Sequence, residues 1–292
     1  MSTAFPRVLE WYEVNGVEFA SPSFMISSVT KGLAGRKGSN VGAASLHGEL
    51  FREKRLSPRT ETWSIWVTDA DPASGESPEG DDNQRSQFNA NIDTVLNVLS
   101  EMPDLLTIVH HRISPDDAEE YEPRVAYGEV VSQISIPDHH DLYCAQFDVE
   151  VSFPDPRWHS PNLIASPLTA AYSGADVPVT CLAADVGTAP VTYMTITFTS
   201  TSSLTNPELW NDTYDHTYTG IGYDGTIPTG QSVVIDTNTM TLKKNNVNDI
   251  SNLLRFGNRQ PWFELFPTDN TLTFSAASGG GTVEISYRKA YY

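Results

Sequence analysis

Cationic side chains are scarce in this 292-residue chain: 18 Lys and Arg stand against 37 Asp and Glu, a formal net charge of −19. That balance argues against nucleic-acid affinity, because phosphate contacts depend on clustered Lys and Arg. Cysteine is scarcer still. Cys144 and Cys181 are too few for a disulfide framework, and each lies in an apolar strand-like segment where a buried, reduced thiol is expected. Long apolar runs are missing too: no window approaches the ~20 residues of a membrane span, so membrane insertion is not expected. The opening residues MSTAFPRVLEWYEV lack the basic start and apolar run of a secretion signal, and folding in a cytoplasm is expected. What is present is turn and strand chemistry. With 19 Gly, 19 Pro and many Thr, Ser and aromatic residues, the chain reads as mainly β with one helix. Its length suggests two domains, since single cores rarely grow past ~250–300 residues.

The charge is unevenly spread. Residues 1–59 hold eight Lys/Arg against five Asp/Glu, residues 60–157 four against twenty-one, and the remainder six against eleven. A solvated acidic surface that keeps the protein soluble accounts for the middle. A sharper reading has the basic early segment docking on the acidic body of a neighbouring subunit.

Along the chain, Asn15-Gly16 between apolar residues marks a hairpin. Residues 31–45, KGLAGRKGSNVGAAS, read as a loop or flexible arm. In Thr60–Asp69, Trp63, Ile65 and Val67 share one face and Trp66 takes the other. An acidic loop at 71–83 precedes the helix. There Phe88, Ile92, Val95, Leu96 and Leu99 fall on one face, Ser86 or Asn83 is the expected cap, and Pro103 stops it. Strands follow at 105–111, 124–136 and 143–153, the last alternating from Tyr143 to Phe153. Three prolines in 154–161 end the unit. The expected division is a first domain at 1–157, a linker at 158–174 and a second domain at 175–292. Strands at ~8–12-residue spacing make the second domain an antiparallel sandwich. Its last two strands are expected to join through a glycine stretch.

Chemical motifs are weak. His110-His111 and His139-His140-Asp141 are the only clusters suited to a metal, but adjacent strand histidines point to opposite faces. The acid pairs Asp81-Asp82, Asp116-Asp117 and Glu119-Glu120 lie in polar segments where solvated charge is expected. No phosphate loop and no nucleophile elbow occurs. No catalytic residue, cofactor or metal is expected. Trp210, Tyr214, Tyr218 and Tyr223 could form a sugar-stacking platform, although core packing is the commoner fate of such aromatics.

One resemblance covers nearly the whole chain. Asn206-Pro207, then Gly230 with Val234-Ile235-Asp236-Thr237, Trp262 to Pro267 with Asn270, and Tyr287-Arg288-Lys289-Ala290-Tyr291 form an ordered series. It resembles the distal tail proteins (minor tail proteins) of long-tailed siphophages, most of all those of actinobacterial phages. Thr268-Asp269 depart from the pattern, where Gly is common. The first domain, with its Gly-rich arm, Trp63–Asp69 strand, helix and Phe153-Pro154-Asp155-Pro156 end, is similar to the belt domain of that family. The resemblance implies a split-barrel-like belt sheet with a helix, followed by a galectin-like β-sandwich. It implies a non-enzymatic baseplate hub at the virion tail tip, assembled in the host cytoplasm as a ring of six copies. Tail tube protein, tail-associated lysin and tail fibre or receptor-binding proteins are the implied partners, and genomic DNA passes through without specific binding. Lys31, Arg36, Lys37, Arg52, Lys54 and Arg55 would then meet the acidic region of the next subunit. The alternative reading is a carbohydrate-binding receptor-recognition protein of the tail.

Overall fold

The computed structural model describes residues 10–32, 36–37, 41–42, 49–50, 55–100, 105–113, 121–136, 143–213, 220–245, 247–256 and 263–292. The chain divides into two compact units, Met1–Trp158 and His159–Tyr292.

The first unit contains β1 (Glu10–Val14), β2 (Val17–Phe19), β3 (Phe24–Lys31), β4 (Arg36–Lys37), β5 (Val41–Gly42), β6 (Glu49–Leu50) and β7 (Arg55–Leu56). After them come β8 (Arg59–Thr68), α1 (Asp81–Leu99), β9 (Leu106–Arg112), β10 (Arg124–Val130) and β11 (Cys144–Phe153). Seven of the strands form one antiparallel sheet in the order β2-β1-β9-β10-β11-β8-β3. Its end strands β2 and β3 are consecutive in the chain and meet through one bridge, Ala20↔Met25. The sheet thus returns on itself as a split barrel without closing. The β1–β2 turn is tight because Asn15 (φ 49°) and Gly16 (φ 82°) both take the left-handed conformation that a two-residue hairpin loop demands.

Period-two patterning builds the core. β11 pairs with β8 over ten residues, from Cys144↔Thr68 to Phe153↔Arg59. Ala145, Phe147, Val149, Val151 and Phe153 of β11 and Trp63, Ile65 and Val67 of β8 are buried, while Gln146, Asp148 and Glu150 face out. Two sequence expectations shift here. The strand expected through Ile136 ends at Val130, and Tyr143 (φ 45°) is a turn residue ahead of β11.

α1 buries Phe88, Asn91, Val95, Val98 and Leu99. Its start differs from the expected Ser86 or Asn83 cap. Gly80 (φ 90°) holds the N-cap position without a side-chain bond, and Asp81 and Asp82 occupy the first turn, where negative charge complements the helix dipole. Asn91 is a polar residue in the core. Its Nδ2 donates to Thr68 O (2.7 Å) and Ala70 O (2.8 Å), tying the helix to the end of β8.

β12 (Trp158–His159) lies at the division between units. The second unit holds β13 (Leu168–Tyr172), β14 (Val177–Cys181), α2 (Ala183–Val186), β15 (Met194–Thr205), β16 (Glu208–Asn211), β17 (Gly220–Tyr223) and β18 (Thr226–Ile227). The others are β19 (Ser232–Asp236), β20 (Thr241–Lys244), β21 (Asn248–Asp249), β22 (Leu254–Phe256), β23 (Asn270–Ser275), β24 (Ser278–Tyr287) and β25 (Ala290–Tyr291). One sheet runs β13-β24-β15-β19-β20-β21, with β18 on β15; the other runs β14-β23-β16-β17-β22. Phe198 of β15 stacks on Phe274 of β23 at 5.7 Å, so the two sheets pack face to face as a sandwich.

Within 158–174, expected to be a linker, β13 pairs with β24 from Leu168↔Ile285 to Tyr172↔Gly281. The glycines also fall elsewhere than expected. Gly279, Gly280 and Gly281 lie inside β24, opposite the irregular stretch of β15 between Ser200 and Thr205. A Cβ at Gly281 would stand 2.5 Å from Thr199 O, so glycine permits this close strand approach.

Candidate assembly and binding surfaces

In the Gly-rich arm the described residues form two short two-stranded ribbons, β4 with β7 and β5 with β6. A single register runs from Ser28↔Ser64 through Lys31↔Glu61 to Arg36↔Leu56 and Lys37↔Arg55. It resumes one residue shifted at Val41↔Leu50 and Gly42↔Glu49. At the root, a Cβ on Gly32 would stand 2.4 Å from Thr60 O, so the strands there approach closer than a side chain allows. Of the six basic residues expected to reach a neighbour, Lys31 ends β3 and is exposed. The backbones of Arg36, Lys37 and Arg55 lie on the ribbon, and Arg52 and Lys54 fall outside the described residues. The outward face of β8 and β11 carries Glu150, Asp148 and Gln146, and Trp66 at 38% exposure, with Ser64 Oγ donating to Asp148.

Inside the belt unit lies a charge cluster that the sequence reading did not anticipate. Arg59 and Glu61 are both buried and form an ion pair at 3.2 Å, off the line of a hydrogen bond. Arg59 also donates to Pro156 O (2.7 Å) and lies over the Phe153 ring, while Trp63 Nε1 donates to Glu61 (3.1 Å). Burial pulls the Arg59 guanidinium below its ordinary range; burial and then Glu61 push the Tyr12 hydroxyl up. Glu61 shares strand parity with Trp63, Ile65 and Val67. That parity was the available signal.

His110 and His111 face opposite sides of β9. His110 is buried, stacked on Tyr12 at 4.6 Å, with Glu10 Oε2 at 3.3 Å; His111 stacks on Trp11 at 4.8 Å. Burial, with Lys31 and Arg112 nearby, lowers the His110 pKa to about 4 against the opposing pull of Glu10. Each histidine is thus held by aromatic rings and a carboxylate, Tyr12, Trp158 and Glu10 for His110, and Trp11 and Glu13 for His111, rather than aimed at a shared ion. Among the described residues no three His, Cys, Asp or Glu converge as a metal site. His139, His140, Asp141, Asp116, Asp117, Glu119 and Glu120 lie outside the described residues.

The sandwich motifs are structural clamps. Asn270 is fully buried; its Oδ1 accepts from Phe266 N (2.9 Å) and Asn211 Nδ2 (3.0 Å), and its Nδ2 donates to Phe266 O (2.9 Å) and Thr268 O (2.6 Å). Asn206 sits at φ 49° and its Oδ1 accepts from Gly225 N (2.9 Å), so the Asn-Pro pair closes a turn. Thr237 Oγ1 accepts from Met194 N (2.8 Å) and donates to Thr192 O (2.6 Å). Tyr287 OH lies 3.0 Å from Cys181 Sγ, and burial pushes both groups' pKa up. Cys181 is therefore the expected buried thiol, whereas Cys144 is only half-buried. Phe263 is buried, and Trp262 lies outside the described residues.

The four aromatics weighed as a platform do not share one fate. Tyr223 is buried at 6% exposure and belongs to the core, because its strand parity turns it inward. Tyr214 and Tyr218 lie outside the described residues. Trp210 remains, half-buried on the outward side of the five-stranded sheet, where β16 pairs with β17 in the register Trp210↔Gly220 and Glu208↔Gly222.

Residues 186–291 match the family model described as siphovirus-type tail component, C-terminal domain. No curated protein matches the sequence. Among solved structures, the chain is similar to the Dit protein of phage SPP1, described as a paradigm of the hub adsorption apparatus in Gram-positive-infecting phages. The TM-score is 0.59 at 14% identity, over 97% of this chain and 99% of that one. At that identity the likeness concerns the fold, and it spans both units. Chains of the phage p2 baseplate in its activated conformation, one structure with strontium and one with calcium, match at a TM-score of 0.41 and 6% identity. They cover 94% of this chain and 97% of those.

Proposed function

We propose that this protein is a structural hub of a siphovirus-type phage tail, a distal tail protein rather than an enzyme. The observation that carries the reading is the match of residues 186–291 to the siphovirus-type tail component, supported by a fold likeness to a phage hub protein over nearly the whole chain. In this reading the belt unit assembles a ring of six copies at the virion tail tip, and the sandwich, galectin-like in kind, projects as a docking module. The ring joins the tail tube to the tail-associated lysin and receptor-binding proteins and lets the genome pass. The Asn206-Pro207, Asp236-Thr237 and Tyr287–Tyr291 residues favour kinship with proteins of actinobacterial phages.

The ribbon supplies a physical reason for ring closure. A two-stranded ribbon in water is marginal, so one that extends a stable sheet gains most by lying on another surface. Head-to-tail placement of the basic ribbon on the acidic belt of the next copy repeats until the ring closes. Light scattering on the purified 32.1 kDa chain tests this. A stable species of six chains is expected, and a single-chain mass at every concentration overturns the ring.

A further inference from the structure

We infer that the contact between Tyr12 and His110 is an acid-operated latch: a proton on His110 releases β1 from β9 at that point while the rest of the belt sheet stays paired. The proposal goes beyond the tail-hub reading and stands without it. β1 joins β9 through five residue pairs, from Glu10↔Arg112 to Val14↔Ile108. On its other side it has the three-residue β2, which among the described residues meets β3 through the one bridge Ala20↔Met25. β9 is backed on its far side by β10, and the sheet continues from there through β11 and β8, so β1 is the weaker flank of β9. One end of the β1–β9 pairing is pinned. Asn15 N donates to Thr107 O (2.9 Å), and Thr107 N donates to Asn15 Oδ1 (2.8 Å). Tyr12 lies away from that pin, its ring nearly parallel to the His110 imidazole (7°) at 4.6 Å. It forms one wall of the histidine's site, and Trp158, with ring centroids 5.5 Å apart, forms another.

The closed site is built against a further positive charge. His110 is buried, and Lys31 of β3 and Arg112 of β9 both oppose a charged ring. Arg59 of β8 acts on Tyr12, and Arg124 of β10 is the register partner of His110. Two carboxylates stand against these cations. Glu61, the one buried carboxylate among the described residues, is already paired with Arg59. Glu10 Oε2 lies 3.3 Å from His110 Nε2, but its side chain is 55% exposed and its field is weakened by water. An imidazolium is therefore favoured where the ring meets solvent, and moving Tyr12 aside provides that access with the fewest pairs broken. Lys31 is the last residue of β3 and precedes Gly32, so the same cluster lies at the root of the Gly-rich arm.

Proton linkage sets the size of the response. With the His110 pKa at about 4 when latched and at the ordinary 6.5 when open, the open form gains roughly fiftyfold in population between pH 7 and about pH 4.5. The test is amide hydrogen exchange of the full-length chain, read by mass spectrometry at both pH values and corrected for the intrinsic exchange rate at each. Peptides covering 10–14 and 108–112 are expected to lose protection by about tenfold or more on acidification, while peptides of the β8–β11 pair keep theirs. In His110→Gln, which carries no titrating proton, that selective loss is expected to vanish. Ring-proton NMR of the native chain gives a second reading that needs no variant: one histidine is expected to titrate well below 6.5. Unchanged protection at 10–14 overturns the latch, and so does an equal loss across β8 and β11, which would be global destabilisation. A selective loss that persists in His110→Gln, or a native chain whose histidines all titrate near the ordinary value, overturns it too. The oligomeric mass at each pH, measured in parallel, separates failure of the latch from failure of ring assembly.

Discussion

Single residues explain why the motif positions of the sandwich are what they are. Asn270 satisfies four groups with one fully buried amide, and Asn211 extends the network by donating to Glu264 O (2.9 Å). Truncation removes the partner that the Asn270 amide gives to Phe266 N, Phe266 O, Thr268 O and Asn211 Nδ2, a set that runs from the buried core to the exposed Thr268. Each such loss costs ~1–3 kcal/mol, so Asn270→Ala should destabilise the second unit by about 3 kcal/mol or more. Asn270→Asp should be no better, because a carboxylate oxygen would face two carbonyls where an NH2 group now donates. Denaturant unfolding of the three proteins checks this. A loss under ~1 kcal/mol in the alanine variant would place the clamp elsewhere. The turn at Thr268 and Asp269 is fixed from inside by the Asn270 amide, which donates to Phe266 O and Thr268 O.

At the scale of elements, the β1–β9 pair sets a pH response. Tyr12↔His110 face the core and Trp11↔His111 face away, so one histidine is shielded and the other only partly. In the folded protein His110 has a pKa of about 4, against 6.5 for an ordinary histidine. Between those values the unfolded chain binds a proton that the folded chain refuses. The stabilising contribution is therefore complete above pH 6.5 and is lost as pH falls towards 4. Denaturant midpoints should drop less between pH 7 and about pH 4.5 in His110→Gln than in the native chain; parallel slopes would remove His110 from the account. The same scale shows what was legible in the sequence. β8 and β11 were readable because one face is buried and period-two alternation records it. The helix was readable from its apolar face. Its cap was not, since Gly80 contributes backbone geometry and no side chain. The ribbon was hidden because glycine and small residues carry no alternation. Core packing, the commoner fate weighed for Tyr223, holds, while the outward side of Trp210 is visible only once the strands are paired as Trp210↔Gly220.

For the whole molecule, the proposed ring makes the distribution of charge the lever on assembly. Residues 1–59 carry a surplus of Lys and Arg and residues 60–157 a large surplus of Asp and Glu. Within its own unit the buried Glu61 is already paired with Arg59, and the exposed acids Asp148 and Glu150 point outward from β11. In the proposed ring, the basic arm of one copy would meet the acidic face of the next, and a contact of that kind at the surface would be screened by salt. The Debye length shrinks from about 10 Å at 0.1 M salt to about 3 Å at 1 M. If ribbon charges hold the ring, its dissociation constant should rise by an order of magnitude or more over that range, measured by light scattering against concentration. The triple variant Lys31→Glu, Arg36→Glu, Lys37→Glu should remain a single chain at low salt, because like charges then meet at the same contact. Added salt should relieve part of that repulsion, so its response runs opposite in sign to that of the native chain. A ring indifferent both to salt and to charge reversal would instead be held by apolar contact, and the outward-facing Trp66 of β8 is then the residue to truncate.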